Sequence, residues 1–169
     1  ATAKGYSAVM MQHGQARNAD VVKAILEKLH AKGHGTGPRY EVGDVLYVRG
    51  VVGAMLAVEG VFRAQERFGK GKVMTGEQAR WGYENLDIGR GRLGQIGFTG
   101  VISPVKTGCD DHMGSAFARV HTWDGSKFNW SSDWLEADES IIRPMVKASA
   151  ERYASDKKLT RRPASDCNS

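Results

Sequence analysis

The sequence predicts an α/β fold, on the basis of three observations. A short apolar run, GYSAVMM at 5–11, precedes a loop and an amphipathic helix, which together form the strand–helix unit of α/β proteins. A long apolar segment at 45–61 indicates a buried helix, because charges interrupt it only twice. Two alternating runs joined by Asp-Gly-Ser at 124–126 predict a β-hairpin.

Composition is that of a globular domain. The chain has 169 residues, 41% of them hydrophobic and 25% charged, which argues against global disorder and allows one domain with a real core. A net charge of +5 and a pI near 9.3 permit nucleic-acid or membrane-surface partners without requiring them. Because no run of about 18 apolar residues occurs, we expect no membrane-spanning segment.

The first strand and helix follow from their apolar patterns. The continuous run at 5–11 predicts a buried strand. Asn18 can cap the next helix and Gly33 can end it. The apolar stripe of this helix consists of Val21, Val22, Ile25, Leu26 and Leu29.

Two further helices occupy the middle of the chain. The segment from Val45 to Val61 predicts a long helix buried on most sides, and its glycines allow close approach of another element. Thr75 and Gln78 have the spacing of a capping box at the start of the next helix.

The last third of the chain alternates strands with turns before a final helix. A short segment, GRGRLGQIGF at 89–98, follows the two helices. A strand or extended chain comes next at 98–105 and is broken by Pro104. The hairpin strands lie at 116–123 and 127–134. A helix then starts near Asp138, is perturbed by Pro144, and leads into a polar tail.

Cys109 and His112 are the residues that most resemble a metal site. Their spacing is that of half a zinc site, but no second Cys/His pair stands at suitable spacing. The Asp- and Gly-rich loop around them is also what a turn requires, because such residues satisfy its backbone groups. The nucleophile elbow, the phosphate-binding loop and the zinc-protease motif are all absent. We therefore predict neither catalysis nor a cofactor.

The hairpin aromatics allow a second interpretation. They could stack on bases or sugars, which with the positive charge would suit a basic nucleic-acid-binding module. Packing across the hairpin explains the same residues more simply. The aromatics concerned are Trp123, Phe128, Trp130 and Trp134.

Three blocks carry a more specific resemblance. They are GDVLYVRG…GFTG at 43–100, CDDHMGSAFARVHTWDGSKFNWSSDW at 109–134 and RPMVKASAERYA at 143–154. Together they resemble the C-terminal half of the periplasmic solute-binding proteins of branched-chain amino acid (Leu/Ile/Val) ABC transporters. The resemblance extends from about Gly5 to Tyr153 and is strongest at 74–87 and 123–134.

The resemblance implies the C-terminal part of a type I periplasmic-binding-protein fold, which is two-lobed and Rossmann-like. Residues 1–155 would contribute to both lobes, and 156–169 would form a polar tail. The implied function is extracytoplasmic binding of a small-molecule ligand for ABC-transporter uptake, in the periplasm, without catalysis or nucleic acid. The ligand would be a branched-chain or hydrophobic amino acid, or a related small carboxylate such as an aromatic acid.

The same resemblance implies two protein partners. One is the ABC permease in the membrane, on which the ligand-closed form docks. The other is the N-terminal half of the same protein, since chains of the family are about twice as long. Without that half, the helix at 45–61 would expose a large apolar surface and favour association.

Five residues are predicted to bind ligand. Ligands of open α/β lobes lie beyond the carboxyl ends of strands, which points to Gln12 and His13 after the first strand. The resemblance adds the start of the long helix, with Leu46, Tyr47 and Arg49. Tyr47 could hold an apolar or aromatic group and Arg49 a carboxylate; alternatively, Tyr47 belongs to the core and Arg49 to a structural ion pair.

The two cysteines are open to two interpretations. Cys109 and Cys167 would be ordinary thiols in the cytosol and could pair in an oxidising compartment. The periplasmic setting implied by the resemblance favours a disulfide between them, which would hold the tail against the body.

Overall fold

Short strands and helices alternate through the chain. The structure is a computed structural model that describes residues 3–160 and 162–167. The described strands are β1 (Ser7–Met10), β2 (Asp87–Ile88), β3 (Val105–Lys106), β4 (Phe117–Trp123), β5 (Phe128–Trp130) and β6 (Leu135–Glu136). The described α-helices are α1 (Asp20–Lys28), α2 (Val45–Phe68), α3 (Gly76–Tyr83), α4 (Arg90–Gln95) and α5 (Glu139–Asp156). This mixture of helix and sheet confirms the coarser part of the prediction, a fold that combines helices with strands.

The main sheet is centred on β4. β1 pairs with one edge of β4, with Val9 opposite Val120, and β5 pairs with the other, with Thr122 opposite Asn129. β6 pairs with the beginning of β4, and β2 pairs with β3 in a separate ribbon. All these pairings are antiparallel, so the described residues do not include the parallel sheet of a Rossmann-like lobe.

Two strand predictions need correction. β1 is not buried: Val9 is 73% exposed, because β1 pairs only with β4 and its outward side chains meet no further layer within the described residues. The predicted strand at 98–105 is reduced to the short β3 and an isolated bridge between Ile102 and Gln12. Pro104 has no N–H to give to a ladder, which prevents a continuous strand.

The core lies between α1, α2 and the segment that precedes β3. α2 contributes a single inner stripe that includes Val48, Val52 and Met55, at the spacing of one helix face. The other buried apolar side chains of this cluster are Ala16, Val22, Val42, Leu86, Ile88, Leu93, Phe98, Val101 and Ile102.

The outer face of α2 is uncovered, which contradicts the prediction of burial on most sides. Leu46 is 72% exposed and Val58 65% exposed, and Phe62 is exposed beside them. By length and composition alone α2 could cross a membrane, contrary to our expectation from uninterrupted apolar runs. The core helix of a water-soluble protein passes the same test, so this finding alone is weak support for a membrane span. The exposed apolar face does confirm the large uncovered surface expected for this helix.

Helices α2 and α3 approach each other through glycines, as the small residues of α2 suggested. A β-carbon on Gly60 would lie 2.6 Å from the ring of Tyr83. At the other glycines of α2, Gly50 and Gly53, a β-carbon would meet nothing within 4 Å. The capping box that opens α3 is confirmed, because the Thr75 side chain accepts from Gln78 N and the Gln78 side chain accepts from Thr75 N.

The other helix boundaries differ slightly from the predictions. Ala19, not Asn18, precedes α1, and no side chain caps it. Gly33 closes a short 3-10 turn after α1 with a φ of 77°, a conformation that glycine adopts without strain. Asp138 begins α5 by accepting a hydrogen bond from Ser140 N, and the helix continues through Pro144 to Asp156.

Candidate functional site

An apolar groove is a prominent concave feature of the described residues. It has a volume of about 740 Å³ and lies between α2, α3 and the segment at 102–115. Val52 and Leu56 of α2 and Ala79 of α3 form much of its apolar lining. This volume and this lining are typical of a small-molecule pocket or of a binding site for an apolar protein segment.

A few polar groups border this groove. Ser103 and Ser115 share a hydrogen bond of 2.6 Å between their hydroxyl oxygens. The Thr107 hydroxyl donates to the carbonyl of Tyr83 at 2.5 Å and accepts from Leu86 N at 3.0 Å. These hydroxyls bind other groups of the protein and so help to hold the groove wall in place.

The loop after β1 reaches the groove through Gln12. Its side-chain amide donates to the carbonyl of Val45, the first residue of α2, at 3.2 Å, and Gln12 lines the groove. A bridge between Gln15 and Asp44 holds the same two segments together. The structure therefore brings the predicted ligand-binding loop after β1 beside the start of α2.

The other four predicted ligand-binding residues do not line this groove. His13 turns toward the hairpin. Leu46 and Arg49 point from the uncovered side of α2, and no ion pair of Arg49 occurs within the described residues. Tyr47 is half-buried and packs against the core cluster. The five residues thus form no single enclosed site within the described part of the chain.

A cluster of histidines and aromatic rings joins the first loop to the sheet. The His13 ring lies 4.8 Å from the Trp130 ring and 5.4 Å from the His121 ring, centroid to centroid. The Nδ1 atom of His13 accepts from Gln15 N at 3.0 Å. Arg119 lies over Trp130, with 4.0 Å between guanidinium carbon and ring centroid.

This environment keeps both imidazoles neutral. Burial, assisted by the nearby His121 ring and Arg119 guanidinium, lowers the pKa of His13 to about 4. Burial also lowers the pKa of His121, again assisted by Arg119. His121 is fully buried, and neither of its ring nitrogens has a hydrogen-bond partner among the described residues.

The hairpin aromatics pack against one another and against the sheet. Trp123 and Phe128 lie 5.2 Å apart, and Trp130 and Trp134 lie 5.8 Å apart, measured between ring centroids. Trp123 and Phe128 are partners across β4 and β5, and aromatic contacts of this kind stabilise a hairpin. These contacts agree with the packing interpretation of the aromatics.

The loop around Cys109 joins the tail of the chain. Cys109 and Cys167 form a disulfide with 5.4 Å between their Cα atoms. His112 lies near Glu84, with 3.6 Å between Nε2 and Oε1. No group of three metal-ligating side chains occurs within the described residues, and the disulfide removes Cys109 as a metal ligand.

Sequence reasoning missed the residues that α3 and the 107–114 loop bring to the groove. Arg80, Glu84 and His112 line it. A signal existed in α3, where Gly76, Ala79, Arg80 and Tyr83 follow helical spacing on one face. Nothing local in the sequence indicated that the 107–114 loop would lie opposite that face.

The chain is similar to parts of two solved transporter structures. One is the crystal structure of an ABC transporter permease from the Pseudomonas fluorescens group, with 34% identity and a TM-score of 0.89, covering 97% of this chain and 39% of that one. The other is a branched-chain amino acid ABC transporter from Thermus thermophilus with bound valine, with 20% identity and a TM-score of 0.60, covering 83% of this chain and 36% of that one. No protein-family model and no curated protein matches the chain.

These likenesses show that the chain shares its fold with parts of the two proteins. Both similar proteins are described as ABC-transporter components. The chain spans 39% and 36% of their respective lengths.

Proposed function

We propose that this chain is the C-terminal portion of an extracytoplasmic solute-binding protein that delivers its ligand to an ABC transporter. The observation that carries the proposal is the likeness, over 97% of the chain at 34% identity, to a protein described as an ABC transporter permease. The second structure, which shares the fold, holds valine. The proposed site of action is the periplasm.

The contacts of α2 favour a water-soluble domain over a membrane-spanning one. Glu59 is 8% exposed and accepts two hydrogen bonds from Arg92, at 2.6 and 2.9 Å. α2 also carries Arg49, Arg63 and Glu66 on exposed positions. Ionised side chains along a helix are costly in a bilayer, but they are ordinary on a helix whose inner stripe packs in a core.

The uncovered face of α2 and the apolar groove fit the proposal that further protein packs there. In a longer chain, the N-terminal portion would cover Leu46, Val58 and Phe62 and complete a type I, two-lobed binding fold. Residues 1–155 would then contribute to both lobes, and 156–169 would form the tail. The membrane permease would be the partner of the complete protein.

The proposed ligand is a branched-chain or other hydrophobic amino acid, or a related small carboxylate such as an aromatic acid. Gln12 supports this best, because it lies at the loop after β1 and borders an apolar groove. Within the proposal, His13, Leu46, Tyr47 and Arg49 remain the other ligand-binding candidates, to be completed by groups from the remaining portion of the protein.

Isothermal titration calorimetry tests this function. The longer protein containing this chain is titrated with valine, leucine, isoleucine and benzoate, with lysine as a control of wrong charge. We expect saturable heat with at least one of the four. Gln12→Ala should weaken that binding by about ten-fold, the effect of about one hydrogen bond, whereas Gln95→Ala on the exposed side of α4 should leave it unchanged.

Two results would contradict the proposal. One is the absence of heat with all four solutes in protein whose circular dichroism shows it to be folded. The other is binding to a mixed oligonucleotide that weakens steeply as salt is raised, since that dependence is typical of phosphate contacts.

A further inference from the structure

The tail after α5 is fastened to the body at two points. Arg162 donates to both carboxylate oxygens of Glu84, at 2.7 and 3.0 Å. Five residues later, Cys167 is bonded to Cys109. The Arg162 guanidinium also contacts the sulfur atoms of both cysteines, so the ion pair and the disulfide are in direct contact. We call residues 162–167 the strap.

The strap covers a buried carboxylate at the end of α3. Glu84 is 5% exposed and directly follows the last residue of that helix. The hydrogen bonds from Arg162 lower the pKa of Glu84, and those same bonds raise the pKa of Arg162. A buried carboxylate is tolerated when such a partner is present, so the strap stabilises the ionised form of Glu84.

The loop that carries Cys109 is the wall of the apolar groove. Thr107, His112, Met113 and Gly114 line that groove. The loop closes on itself through paired backbone hydrogen bonds between Gly108 and Asp111.

An ion pair also holds this loop to α5. The Asp111 carboxylate accepts from Arg143 at 2.8 Å. Thr107 binds Tyr83 and Leu86, and His112 lies near Glu84. In addition, two contacts with elements late in the chain hold the groove wall, the ion pair with α5 and the disulfide with the strap.

We propose that the Cys109–Cys167 disulfide is a redox latch that holds the groove wall closed against α3. Because the disulfide is only five residues from Arg162, it keeps the guanidinium at a high effective concentration beside Glu84. Reduction by a dithiol breaks the S–S bond; the dithiol supplies two electrons and two protons, forms its own disulfide and leaves two thiols. The strap is then released, Glu84 loses its held partner, and the 107–114 loop opens. This inference does not depend on what the groove binds.

Hydrogen–deuterium exchange measured by mass spectrometry tests the latch. The oxidised protein is compared with the same protein in dithiothreitol and with the Cys109→Ser/Cys167→Ser variant. We expect exchange at 83–86 and 107–114 to become about ten-fold faster or more on reduction, because local opening sets these rates. Exchange in β1, β4 and β5 should be unchanged.

A pair of arginine variants distinguishes the effect of the strap on hydrogen exchange from a general effect of lost positive charge. Arg162→Gln under oxidising conditions should raise exchange at 83–86 and 107–114. Arg152→Gln, at an exposed position on α5, removes the same charge and should change nothing there. Dithiothreitol acts on the unmodified chain, so the test holds even if the double cysteine variant does not fold.

Three outcomes would overturn the proposal. A free-thiol count of two per chain before reduction would mean that no disulfide exists to act as a latch. Faster exchange spread evenly over the whole chain would mean that the disulfide serves global stability only. Unchanged exchange at 107–114 after complete reduction would mean that the strap does not hold the groove wall.

Discussion

Replacing Gly82 by alanine should separate α2 from α3. A β-carbon on Gly82 would lie 2.0 Å from the carbonyl oxygen of Gly60 and 3.0 Å from the β-carbon of Ala64. The first neighbour is backbone, which cannot rotate away as a flexible side chain could. The helices must therefore move apart along the contact that holds α3 in place.

The size of the effect follows from two opposing contributions. Alanine is favoured over glycine inside a helix by about 1 kcal/mol. Overpacking of a close contact costs about 3 kcal/mol when backbone must move. The free energy of unfolding should then fall by about 2 kcal/mol, which lowers the melting temperature by about 4–8 °C for a chain of this size.

Gly53→Ala is the matched control for this variant. Gly53 lies in α2, and a β-carbon there meets nothing within 4 Å. Only the helix-propensity gain remains, so this variant should be stabilised by about 1 kcal/mol. Thermal and urea unfolding of the 169-residue chain, followed by circular dichroism, compares the two. Equal stabilisation of both variants would refute the close approach of α2 and α3.

Three other perturbations have defined outcomes. Arg92→Met leaves the buried Glu59 carboxylate without its partner and should lower the free energy of unfolding by about 3 kcal/mol, measured by urea unfolding. Stability should fall as the pH drops from about 6.5 toward 4, because the folded-state pKa values of His13 and His121 lie below the unfolded value; His121→Phe should flatten this dependence in thermal melts. Thr75→Ala removes the capping box of α3 and should cost about 1 kcal/mol, seen in the same unfolding assay.

Each of these has its own control. Glu59→Leu with Arg92→Met removes both charges and should recover most of the stability lost by the single variant; an equal loss in both would mean that the pair acts by packing. Thr75→Ser keeps the capping hydroxyl and should stay close to the parent. A stability that is constant from pH 7 to pH 4 would contradict the burial of the two neutral imidazoles.

Features with short-range causes could be predicted from the sequence. The capping box depends on Thr75 and Gln78 alone, three residues apart, and it forms as predicted. The hairpin depends on two runs in which successive side chains alternate between the two faces of the sheet. It also depends on Asp124, whose carboxylate accepts hydrogen bonds from the backbone N–H groups of Ser126 and Lys127 in the turn. These interactions are complete within a few residues, so they need no distant element to form.

Burial could not be predicted in the same way. The apolar patterns of β1 and α2 indicate surfaces suited to packing, but they do not say whether this chain supplies the partner. Val9 and Leu46 are exposed because nothing in the described residues covers them. Helix α2 therefore combines a buried stripe with an open apolar face, a division that its nearly continuous apolar sequence does not reveal.

The sequence by itself determined a fold that combines helices with strands, the helix with its capping box, the hairpin and the resemblance to a transport protein, because each depends on local pattern or on the succession of blocks. Only the tertiary structure decided that Gln12 meets the start of α2, that Glu84 lies under Arg162, and that the Cys109 loop forms the wall of an apolar groove. Arg162 and Glu84 are 78 residues apart. Contacts at such separations depend on how whole elements pack, which no local pattern encodes.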